Sequence, residues 1–216
     1  MGMYFVVAPE MQAQVKQYIS TMLRSPEGAK MIRAISSSSK PSFYSSGTLP
    51  REPIAGTNRI NVTPGSTEIV PGHAGQIGGT TTTLDNNNIS FVGQRTGQTD
   101  FFVGLKAFAH EDSHVVAGLS ASGSVAAAVA MAAGDAPSRP GATDTTGGTA
   151  EGQALQVMNQ LGDAGQSFQP NAQADAQADA IIQGGMQQFG QDQRQQINQA
   201  VQHHGCTSDS EGQRCD

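Results

Sequence analysis

Tryptophan is absent from this chain of 216 residues, and aromatic residues make up only 5% of it. Hydrophobic residues reach 37%, below the usual share in globular domains. A core must therefore be assembled from Val, Ile, Leu, Ala, Met and a few Phe. Basic residues are also scarce: 12 Lys and Arg against 18 Asp and Glu leave a net charge of −6. Phosphate binding needs a basic patch and none is present, so nucleic acid is excluded as a partner. No apolar run approaches the roughly 18 residues that cross a bilayer, so no membrane span is expected. The longest, Val125 to Ala133, is short and Ala-rich. No basic segment precedes Tyr4-Phe5-Val6-Val7, so no Sec signal peptide is expected, and Val6 breaks the myristoylation pattern that Gly2 would open. Only two cysteines occur, Cys206 and Cys215. Both lie in the last eleven residues, so no disulfide framework is expected, and without a C-x-x-C neither is a cysteine zinc site. The pair either closes one small loop in an oxidising compartment or stays as two thiols. Gly75 to Gly79 lacks the Lys-Ser/Thr of a phosphate loop and reads as a turn. Ser120 to Ser124 lacks the partners of a serine nucleophile.

What remains is an α+β pattern. Pro9-Glu10 opens a helix on which Met11, Val15, Tyr18, Ile19 and Met22 recur at helical spacing. Ser25-Pro26-Glu27 starts a second, with Met31, Ile32 and Ile35 as its buried face. Residues 36–46 read as a polar loop. Strands are expected over 59–63, 67–70, 80–84 and 89–92, with Asp85 to Asn88 as a turn, giving a small mixed or antiparallel sheet. A helix follows over 100–117, with Asp100 as N-cap and Gly118 as stop. Residues 134–149 read as a loop and 150–162 as another helix, ended by Gly162. From residue 166 the composition turns to Ala, Asp and Gln. Too few apolar groups remain to offset chain entropy, so 166–216 is expected to be a flexible tail, apart from a short helix near Asp192 to Val201. The predicted organisation is one domain over 1–165 and that tail.

The helix over 100–117 carries His110-Glu111-Asp112-Ser113-His114, an H-E-x-x-H motif. Residues four apart share a helix face, so His110 and His114 can address one ion, and imidazole suits zinc. Glu111 is then the general base rather than a ligand. A catalytic zinc takes a third protein ligand and keeps one open position. Glu151 is the first choice, because a helical carboxylate is held more firmly than one in a Gly-rich loop. Asp144 is second, and Asp135 is also available. His203 and His204 read as a solvated pair able to bind adventitious metal. Asp112 and Ser113 are polar where bulky apolar residues are usual, and each needs a partner. Asp112 is a candidate acceptor for a ligand histidine. The segment Ile89 to Val92 is a candidate for strand addition by an extended substrate. Tyr44 and His73 are distant candidates for an oxyanion donor.

These residues resemble the NleD-like family of bacterial effector and toxin zinc metallopeptidases. The resemblance rests on Leu23-Arg24-Ser25-Pro26-Glu27-Gly28-Ala29-Lys30-Met31-Ile32, on the Gly/Thr/Asn-rich segment leading into His110 to His114, and on Glu151 to Leu161. That last segment is similar to the family's E-N-x-A-x-x-x-x-N-Q-L, with Gly152 in place of Asn. It implies a single-domain zincin-like metalloprotease fold, with His110, His114 and Glu151 holding Zn2+ and Glu111 as catalytic base. It also implies a secreted protein delivered into another cell, where some relatives cut host signalling kinases. The expected function is a zinc endopeptidase acting on a protein substrate. The alternative is an inactive binding or structural protein on the same scaffold.

Overall fold

The structure is a computed structural model. It describes residues 2–7, 9–134, 150–204, 206–209 and 212–215, with side chains over 2–7, 10–133 and 150–192. The class is α+β, with seven helices and a small mixed sheet among the described residues. Strands β1 (Met3–Val6), β2 (Ser42–Ser46), β5 (Gly65–Pro71) and β6 (Ile77–Leu84) form the sheet in the order β1-β2-β6-β5. β1, β2 and β6 run parallel. β5 alone runs antiparallel, Gly65 opposite Leu84 and Ile69 opposite Thr80, and it is an edge strand.

The helices follow from their caps and stripes. α1 (Pro9–Met22) buries Met11, Val15, Tyr18, Ile19 and Met22, the stripe its spacing predicts. α2 (Pro26–Ser37) begins at Ser25, whose Oγ accepts a hydrogen bond from the Gly28 amide at 3.0 Å. α4 (Asp100–Ser120) lies at the centre, packed against α2, α3 (Asn86–Thr96), α5 (Ser124–Gly134), α6 (Ala150–Leu161), β5 and β6. Such a helix must be apolar on several faces, and Val103, Leu105, Phe108, Ala109 and Val115 are all buried. Its N-cap is Thr99, which accepts from the Phe102 amide, so Asp100 is the first helical residue rather than the cap. The helix runs two residues past Gly118 before Ala121 closes it.

Four further expectations are corrected. Residues 42–46, read as loop, form β2, where Ser42 and Tyr44 point into the core. Ser42 is small enough to be buried in a strand. Residues 89–92, read as a strand, lie in α3. Asp85 caps that helix, its Oδ1 accepting from the Asn87 and Asn88 amides, so Asp-Asn-Asn-Asn is a helix start and not a hairpin turn. Gly78 and Gly79 belong to β6, although 73–75 is a turn of 3-10 helix. The flexible tail is the largest correction. α7 (Ala172–His204) packs on α1 and β1. Its Ala-Asp-Ala-Gln repeat has a period of four, so Ala174, Ala178 and Ile182 make one buried stripe. Beside them Asp179 pairs with Lys16 at 2.7 Å and Asp175 accepts from Ser20 at 2.5 Å. β1 and α5 are further elements beyond the expected set. The expected helix over 192–201 is part of α7, and beyond it Cys206 faces Cys215 in the backbone register of β7 (Cys206–Asp209) and β8 (Gly212–Cys215).

Between β2 and β5 the chain makes a hairpin of β3 (Arg51–Pro53) and β4 (Ile60–Val62), paired only with each other. Its base is fixed by α3. The buried Asn88 amide donates to Leu49 O at 3.3 Å and to Thr63 O at 3.2 Å, and Asp85 Oδ2 accepts from the Leu49 amide at 2.8 Å. Arg51 donates to Asn88 Oδ1 and lies over the Phe91 ring, 4.7 Å from its centroid.

Candidate functional site

One stripe of α4 faces the edge strand. Lys106, His110, His114 and Gly118 follow one another at intervals of four, so all lie on the same side of the helix. The two imidazoles converge: His110 Nε2 and His114 Nε2 are 3.1 Å apart, with the rings near perpendicular at 73°. Beside them Glu111 reaches toward β5, where the Thr67 hydroxyl donates to its Oε2 at 2.8 Å. Thr67 Oγ1 also lies 2.9 Å from Thr82 Oγ1 on β6, which ties the contact to the sheet. The approach requires Gly65, because a Cβ there would stand 2.7 Å from Glu111 Cγ. Gly65, Thr67 and Lys106 were not singled out in the sequence. Lys106 was legible, being one turn before His110.

Glu151, at the start of α6, also reaches the site. Its Oε1 lies 2.6 Å from Lys106 Nζ and its Oε2 3.5 Å from His110 Nδ1. The bond to His110, opposed by partial burial and helped by Lys106, holds its carboxyl down to about 2. Glu151 thus sits on the Nδ1 side of the His110 ring, whereas His114 meets Nε2. Among the described residues no three His, Cys, Asp or Glu are grouped to hold one ion. Asp135 and Asp144 lie outside the described residues, as do the side chains of His203 and His204.

The two central motif residues find partners in the core. Asp112 is fully buried and accepts from the Tyr44 hydroxyl at 2.8 Å. Burial pushes its carboxyl up to about 8; the Tyr44 bond opposes the shift and Glu111 adds to it. Burial likewise raises the Tyr44 phenol well above its ordinary value, with the Asp112 charge and hydrogen bond adding to it. Ser113 donates back to Ala109 O at 2.9 Å, within its own helix. Tyr44 is thus committed to the core, and the exposed His73 lines neither of the clefts at the motif.

Those two clefts open on either side of Gly65. One, of about 360 Å3, runs under the hairpin base past Val62 and Pro64 to Thr96, Gln98, Lys106 and Glu151. The other, of about 610 Å3, lies between β5 and α5, with Ile69, Ala128, Met131 and Ala132 in its walls and His114 at its floor. Thr63, Gly65, His110 and Glu111 border both.

The donor set fits a zinc ion in part. Two imidazole nitrogens about 2.0–2.1 Å from one ion in tetrahedral array lie roughly 3.3 Å apart, close to the observed 3.1 Å. Glu151, as placed, does not complete a triad with them. No family model, curated protein or solved structure matches the chain.

Proposed function

We propose that the protein is a zinc-dependent endopeptidase, with His110 and His114 holding the ion and Glu111 as general base. The observation that carries this reading is the convergence of the two Nε2 atoms at 3.1 Å beside a carboxylate positioned by Thr67, on the border of two clefts. Zinc, when bound, supplies a Lewis acid that polarises the scissile carbonyl and brings the pKa of water to about 7. The chain's own residues do the rest. Glu111 accepts the proton of the attacking water and passes it to the leaving amine, one of its oxygens being steadied by the Thr67 hydroxyl. β5 ends the sheet, so its outer edge can receive an extended peptide by strand addition; this role moves to β5 from residues 89–92, which are helical. Glu151, expected as the third zinc ligand, as placed orients the His110 ring through Nδ1 and is itself held by Lys106, an arrangement that would present Nε2 to the ion. The resemblance to effector and toxin metallopeptidases supports a secreted protein acting on a protein target.

Glu111→Gln tests the reading. Loss of a general base costs about 10²–10⁴ in rate, so cleavage of a peptide library should fall by that factor while the circular dichroism spectrum and zinc content stay as in wild type. Full activity in the variant would remove Glu111 from the mechanism. A second reading has its own observation: the His110–Glu151–Lys106 network joins α4 to α6, as an inactive scaffold protein would also require. Under it, neither zinc nor turnover is found.

A further inference from the structure

The two clefts differ in chemistry. The one beneath the hairpin is mixed: Val62, Pro64, Val92, Val103 and Ala107 line it together with Gln98, Thr96 and the Lys106–Glu151 ion pair. The other is walled by α5, whose sequence Ser-Val-Ala-Ala-Ala-Val-Ala-Met-Ala-Ala-Gly has no titratable residue. That wall stands on the motif's own stripe. Gly118 is one turn beyond His114, and a Cβ at Gly118 would lie 2.9 Å from Ile69 Cδ1 and 3.3 Å from Met131 Sδ. A bare glycine at that point therefore lets Ile69 of β5 and Met131 of α5 close on α4 one turn beyond His114. Ala128 and Ala132, a turn apart on α5, line the same groove and leave it room. On the opposite wall β5 is mixed, with Ser66, Thr67 and the exposed Glu68 ahead of Ile69.

We infer that the groove between β5 and α5 is the subsite that selects an aliphatic side chain next to the scissile bond, with Ala128, Met131 and Ala132 as its specificity-determining residues. The inference rests on the peptidase reading for its occupant. A chain lying along the groove must pass over the motif, and a side chain turned toward α5 meets only methyl groups and a thioether. A charged side chain there would lose its hydration with no partner on that wall. Leu, Ile, Val or Met would bury apolar surface instead. The flexible thioether of Met131 adapts to each of these shapes, so the subsite sorts by polarity more than by form.

The test uses the full chain without an affinity tag, loaded with zinc, on quenched fluorescent decapeptides that vary one position at a time. Wild type should show kcat/KM at least about tenfold higher for Leu, Ile, Val or Met than for Asp or Lys at one position adjoining the cleaved bond. Ala128→Asp should move the preference at that position toward Lys, and Ala128→Lys should move it toward Asp. Both substitutions fall at an exposed helical position, and their melting curves report whether the fold is kept. Equilibrium binding of the Leu and Asp peptides to Glu111→Gln should show the same order without turnover. Cleavage with no aliphatic preference, or a preference that neither Ala128 variant shifts, overturns the subsite. Ordered binding with no cleavage by wild type overturns the peptidase reading and keeps the subsite. Neither cleavage nor binding overturns both.

Discussion

Asp112 is a buried acid in the middle of the H-E-x-x-H motif. It is fully buried with one hydrogen bond, from Tyr44, and its second oxygen has no partner among the described residues. Its carboxyl titrates at about 8 in the fold against about 3.9 in an unfolded chain. A raised carboxyl pKa means that the folded state holds a proton the unfolded state has released. Its contribution to stability is therefore complete below about pH 4 and is lost as pH rises toward about 8. Asp112→Asn keeps the shape and the acceptor for Tyr44 but cannot ionise. Denaturant melts of the two proteins from pH 4 to pH 9 should show wild type weakening relative to the variant, with the gap widest at the alkaline end; parallel curves would contradict the burial argument. At this scale the grouping of His110, Glu111 and His114 was legible from their spacing on one helix, whereas Glu151 meets His110 at Nδ1 and not the facing Nε2 pair. Gly65 and Thr67 were not legible. They matter only through the approach of β5 to Glu111, a tertiary contact between residues more than forty positions apart that local pattern does not encode.

At the scale of elements, the α3 start is a clasp as well as a cap. Asp85 serves the helix with one oxygen and the hairpin with the other, and Asn88 bonds both hairpin legs. Asn88→Ala would leave the Leu49 and Thr63 carbonyls without that donor, at a cost of about 1–3 kcal/mol. Amide hydrogen exchange should quicken across 51–62 while α4 keeps its protection; uniform loosening of the chain would show that the clasp is part of the global core instead. The same segment explains a misreading. Ile89-Ser90-Phe91-Val92 alternates like a strand, and four residues are too few to separate a period of 2 from one of 3.6. The Asp85 carboxylate, on the Asn87 and Asn88 amides, decides it for the helix. α5 was passed over for the opposite reason. It lacks a polar face to mark its period, and its small residues suit close packing on α4.

At the scale of the whole molecule, the segment whose composition suggests a tail is part of the core. α7 covers α1 and β1, and with its stripe of Ala174, Ala178 and Ile182 it completes the core that begins at Met3. A low apolar fraction misled because alanine every fourth residue is sufficient when the neighbouring surface is already close. A chain ending at residue 165 loses that stripe and the Asp175 and Asp179 contacts. Burying Ile182 alone is worth roughly 1.5–3 kcal/mol, and each kcal/mol moves Tm by about 2–4 °C in a chain of this size. The truncated protein should melt on the order of 10 °C lower, or fail to fold, by circular dichroism. An unchanged melting point would restore the tail as an independent appendage.

The proposed activity depends on His110 and His114 sharing one zinc ion. The direct measurement is the metal content of untagged protein by inductively coupled plasma mass spectrometry, after dialysis against a mild chelator, for wild type and for His110→Ala and His114→Ala. About one zinc per chain in wild type, lost in both folded variants, is the predicted result. A folded wild type with no zinc, or variants that retain it in full, would contradict the claim.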